Sequence, residues 1–85
     1  MESFWLRCRI SRGMLPGEYV VVTSTSDGHE FSLFAPESVV RPNDGLIRVD
    51  VLQRSGDAAL VSLPADPLER ASRTVKVSTR ELVSR

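Results

Sequence analysis

Apolar residues in this chain recur at every second position. Phe4, Leu6, Cys8 and Ile10 fall on one side of an extended backbone, and Trp5, Arg7, Arg9 and Ser11 fall on the other. The run EYVVVTSTS is β-branched and has little helical chemistry. EFSLF puts Phe31 with Leu33. LIRVDVLQR sets Ile47, Val49 and Val51 against Arg48 and Asp50. AALVSL offers Ala59, Val61 and Leu63, and RTVKV offers Val75 and Val77. The pattern predicts about six short strands, spaced by turns as in a small β-barrel or sandwich. Closing the sheet would remove the edges that such short strands expose.

Glycine and proline separate the strands. Gly13 and Gly17 bracket GMLPG, and SDGH carries an Asp-Gly hairpin signal at Asp27–Gly28. RPNDG and RSGD are further turns. PADPLERAS, from Pro64 to Ser72, is the longest loop. Within it Asp66 is placed to cap one helical turn, with Pro67 at the first helical position and Glu69 three residues after the cap. In STRELV, Ser78 is placed to cap a single turn and Glu81 stands at the capping-box position.

FAPESVV at Phe34–Val40 and VSTRELV at Val77–Val83 share one plan: an apolar run, a Pro, Ser or Thr, a few polar residues, then an apolar pair. A constant shift that carries Phe4 to Ile47 also carries Leu6 to Val49, Cys8 to Val51, Gly13 to Gly56 and Phe34 to Val77. Two readings account for this. The chain holds a doubled unit and folds as a pseudo-twofold barrel, or two unrelated strands each end in a capped turn.

Eighty-five residues make one domain, spanning 1–85. A chain of this length buries roughly 60–65% of its unfolded surface, so most apolar side chains belong to one core. Eleven basic and eleven acidic residues give a net charge of zero, which argues against nucleic acid or an anionic membrane as the partner. Cys8 is the only cysteine, so no intrachain disulfide forms. MESFWLRCRI lacks the charge order of a signal peptide, and no run approaches the roughly 20 apolar residues of a membrane span. The cytoplasm is the expected compartment.

The strand, capped turn and apolar pair of VKVSTRELV resemble the closing segment of SH3-like barrels, where a short 3₁₀ turn precedes the last strand. The resemblance covers about ten residues and implies a barrel. The acidic-aromatic groove of peptide-binding SH3 domains has no counterpart, and Tyr19 is the only tyrosine. No binding residue is implied.

Catalytic chemistry has little to draw on. Asp27, His29 and Ser32 supply triad residue types, but neighbouring hairpin positions point in opposed directions and no nucleophile elbow accompanies them. Cys8 on the apolar face is expected to be buried and inert. One Cys and one His cannot complete a zinc site, and phosphate-binding glycine loops are absent. No enzyme activity and no cofactor are expected.

Two surface constellations remain. Trp5, Arg7, Arg9 and nearby Arg12 combine an aromatic ring with guanidiniums, the pairing that stacks on unpaired bases. Arg7 and Arg9 are equally placed to pair with Asp50 or Glu30. Met14 and Leu15 sit between two glycines in a surface loop, as an interface anchor or as a plug folded into the barrel. The sequence therefore points to a non-enzymatic protein-interaction or structural module, with a protein partner or a homodimer. The alternative is an RNA or single-stranded nucleic-acid binder using the aromatic–arginine face.

Overall fold

A computed structural model describes residues 2–69 and 72–84. Among these, nine strands form: β1 (Glu2–Arg7), β2 (Arg9–Arg12), β3 (Glu18–Ser24), β4 (Glu30–Pro36), β5 (Val40–Arg41), β6 (Leu46–Ser55), β7 (Ala58–Ser62), β8 (Thr74–Ser78) and β9 (Leu82–Val83). Two single 3₁₀ turns, Glu37–Val39 and Thr79–Glu81, precede β5 and β9. No helix among the described residues is long and apolar enough to cross a membrane.

The strands form two antiparallel sheets. One runs β8-β7-β6-β1-β9, with β5 also paired to β6, and the other runs β2-β3-β4. Neither sheet closes into a barrel, which corrects the closed architecture expected from the strand spacing. The sheets meet through single bonds instead: Ser26 N–H donates to the Lys76 carbonyl at 2.8 Å, and Leu68 N–H donates to the Ser32 carbonyl at 2.8 Å. Between them lies the core, where Leu6, Val21, Leu33, Ile47, Val61 and Val77 are completely buried.

Nine strands replace the expected six for two local reasons. The first apolar run is cut at Cys8, whose N–H donates to the Gly45 carbonyl at 2.9 Å, and the chain passes there from one sheet to the other. Gly45 has a φ of +67°, and a Cβ on it would lie 2.9 Å from the Cys8 carbonyl oxygen, so this approach requires glycine. The other two additions, β5 and β9, are two residues long and too short to show a period. The expected helical turn at Asp66 does not form. Asp66 instead binds Arg73 at 2.7 Å, and Pro67 bridges to Leu33. Residues 70 and 71 of that loop lie outside the described residues. Ser78 does cap its turn, accepting from Arg80 N–H at 3.4 Å, whereas the first turn has no side-chain cap.

Both halves follow one pairing plan. Leu6 faces Ile47 across β1 and β6, while β9 pairs Leu82 with Leu6 and β5 pairs Val40 with Ile47. Arg9↔Val22 and Ile10↔Val21 in the first half match Asp50↔Ser62 and Val51↔Val61 in the second. Val21↔Leu33 matches Val61↔Val75. Each 3₁₀ turn is anchored alike, by Glu37 N–H to the Gly17 carbonyl and by Thr79 N–H to the Asp57 carbonyl, both 2.9 Å. By these registers Leu6 corresponds to Ile47, two residues from the partner that the sequence shift assigned to it. A slip of two leaves every side chain on its original face, so alternation alone cannot detect it.

Candidate functional site

The β2–β3 hairpin is one place where the halves diverge. In the second half, Gly56 and Asp57 alone join β6 to β7, and Gly56 supplies a φ of +62° for the tight turn. In the first half, Gly13–Gly17 join β2 to β3, closed by Gly13 N–H to the Glu18 carbonyl at 2.8 Å. The longer loop holds Met14 at 94% exposure and Leu15 at 65%. Neither fills the interior, so the plug reading is corrected. The outer face of the same sheet adds exposed Phe34 beside half-buried Val20, its cross-strand partner. Leu68 is also exposed, and its N–H bonds to β4.

The aromatic–arginine set is not one face. Trp5 and Arg7 belong to β1 in the larger sheet, and Arg9 and Arg12 belong to β2 in the smaller one. The Trp5 ring is taken by the Arg41 guanidinium, 4.6 Å from its centroid. Arg9 Nη2 pairs with Glu30 Oε2 at 3.0 Å, the cross-strand partner expected of it, while Asp50 accepts from Ser3 Oγ at 3.2 Å. Arg7, Arg12 and Arg80 form no ion pair with described residues.

Sequence reasoning missed a groove of about 440 Å³ at the junction of the sheets. Arg7, Cys8 and Arg9 from the β1–β2 crossing line it, together with the end of β3 and the second 3₁₀ turn. The signal was hidden because Arg7 and Arg80 are far apart in the chain. Thr23 Oγ1 donates to the Arg7 carbonyl at 3.0 Å and fixes the crossing where the arginine emerges. Cys8 is half-buried, less enclosed than its place in the alternation implied. Burial still pushes its thiol up to about 12, so it is a poor nucleophile at neutral pH.

The triad residue types do not converge. Thr25 Oγ1 donates to Asp27 Oδ1, and Asp27 Oδ2 lies 3.2 Å from His29 Nδ1 on an open turn. The Thr25 hydroxyl, and then His29, hold the Asp27 carboxyl below its ordinary range. Ser32 is committed elsewhere: its N–H and Oγ–H donate to the Glu69 carboxylate at 2.8 and 2.7 Å. The described residues contain no group of three or more His, Cys, Asp or Glu side chains that could hold a metal. No known protein family, curated protein or solved structure matches the chain.

Proposed function

We propose that this protein is a non-enzymatic interaction module that contacts another protein chain through Met14 and Leu15. One observation carries the reading. The second half closes the corresponding hairpin with two residues, yet the first spends five and exposes two large apolar side chains on them. The scaffold does not need that loop, and exposed apolar tips of this kind are what interface cores collect. Exposed Phe34 on the same sheet extends the apolar surface. Self-association is the simplest form of the contact. The fold belongs to the same proposal as a pseudo-twofold, half-open small barrel, SH3-like only in its strand–3₁₀–strand endings. Its support is the matched registers of the two halves. A free cysteine suits a reducing compartment, and the cytoplasm remains the proposed location. The test is the oligomeric state of the wild type against a Met14→Ser, Leu15→Ser variant, with thermal melts as the fold control.

A further inference from the structure

The two halves build two versions of one groove, and only one is equipped for an anion. The groove of about 440 Å³ is lined by Arg7, Cys8, Arg9, Val22, Thr23 and Ser24, with Arg80 and Glu81 from the second 3₁₀ turn. By the matched registers, the first six positions correspond to Arg48, Val49, Asp50, Ser62, Leu63 and Pro64. All six line a smaller cavity of about 260 Å³, and Val39, the counterpart of Glu81, lines it too. The fold therefore supplies its own control, the same backbone cradle with different side chains.

The side chains differ in one direction. In the smaller cavity Asp50 replaces Arg9 and Ser38 stands at the position of Arg80. Its one guanidinium, on Arg48, is held by Ser3 Oγ at 3.4 Å. In the larger groove three guanidiniums meet two carboxylates, Glu30 and Glu81, leaving one net positive charge on a chain whose total is zero. Arg9 already neutralises Glu30, while Arg7 and Arg80 have no ion pair with described residues. Ser24, Ser26 and Ser78 line the same space, while the Thr25 hydroxyl is committed to Asp27. Free guanidinium forks beside hydroxyl donors match the many acceptor oxygens of a phosphate group. An open groove of this size admits one phosphate and its substituent, and the neutral chain lacks the basic stripe that follows a nucleic-acid backbone.

We propose that the groove between Arg7 and Arg80 binds a phosphate monoester. The ester is carried by a phosphorylated side chain of a partner protein or by a small molecule. The two sources share the chemistry and are separated by the probes.

The experiment is titration of the isotope-labelled protein, at constant ionic strength, with inorganic phosphate, a phosphoserine peptide and a sugar phosphate, read by amide chemical shifts. Saturable shifts centred on Ser24–Ser26 and Ser78–Arg80 are expected. They should weaken roughly tenfold or more in Arg7→Gln, Arg80→Gln and stay unchanged in Arg48→Gln. All three arginines are surface positions, and unchanged melts confirm that the variants fold. Tighter binding of the peptide assigns a protein partner, and tighter binding of the sugar phosphate assigns a small molecule. Absent or non-saturating shifts overturn the proposal, as does binding that survives Arg7→Gln, Arg80→Gln or weakens equally in Arg48→Gln. Stronger binding of single-stranded RNA, indifferent to Arg80→Gln, also overturns it in favour of a nucleic-acid surface.

Discussion

Leu6 and Ile47 lie directly opposite each other across β1 and β6, each flanked on its other side by a closing strand from the opposite half. Leu82 sits beside Leu6, and Val40 sits beside Ile47. β2, β3 and β4 pair within the first half, but β1 takes both its neighbours, β6 and β9, from the second half, and β5 pairs with β6.

This exchange predicts that the halves are not independent. Residues 1–45 alone should be unfolded by circular dichroism, and mixing with residues 46–85 should restore structure. Ile47 is completely buried, so Ile47→Ala should cost about 2–5 kcal/mol. Deleting Leu82–Arg85 should cost less, on the order of 2 kcal/mol, because Leu82 and Val83 are only half-buried. For a domain of this size each kilocalorie lowers Tm by roughly 4–8 °C. A stable 1–45 fragment would contradict the exchange.

The all-β class and the inward-facing set were legible because alternation reports which face a residue takes. Leu6, Leu33, Ile47, Val61 and Val77 are all completely buried, as the pattern implied. Closure was not legible, since it depends on how two sheets meet and not on any strand's own period. The parallel pairing plan of the two halves was visible only approximately. The closing strands have two residues each, and the β1–β6 correspondence slips by two residues, which alternation tolerates. Met14 and Leu15 were legible as a candidate surface because glycines bracket them. The Arg7–Arg80 groove was not, because only the sheet junction brings those positions together.

Burial raises the Cys8 thiol pKa from 9.0 to about 12. The neutral thiol is favoured in the folded chain, so its contribution is fully present below pH 9 and is lost as pH rises toward 12. Stability should therefore fall over that window more steeply in the wild type than in Cys8→Ala, measured by urea unfolding at each pH. Native thiol labelling at neutral pH should be slow and should accelerate in denaturant. Fast native labelling would contradict the assignment.

Glu69 ties the Pro64–Glu69 segment to β4. Its carboxyl is held below the ordinary value of 4.5, first by the Ser32 N–H and then by the Ser32 hydroxyl. A depressed carboxylate stabilises above its unfolded pKa and loses that contribution as pH falls below it. Hydrogen exchange at the Ser32 amide should quicken as pH drops below 4.5, after correction for intrinsic rates. Glu69→Gln should remove most of that dependence. Equal pH profiles in the two proteins would show that the carboxylate does not hold the segment.

Sedimentation equilibrium of the wild type and of Met14→Ser, Leu15→Ser, run up to millimolar concentration, tests the interaction reading most directly. Met14 and Leu15 are exposed, so the double variant should melt within about 0.5 kcal/mol of the wild type. The account predicts a wild type that self-associates with rising concentration and a folded variant that stays monomeric. A wild type that remains monomeric throughout, or a variant that associates equally well, would contradict it.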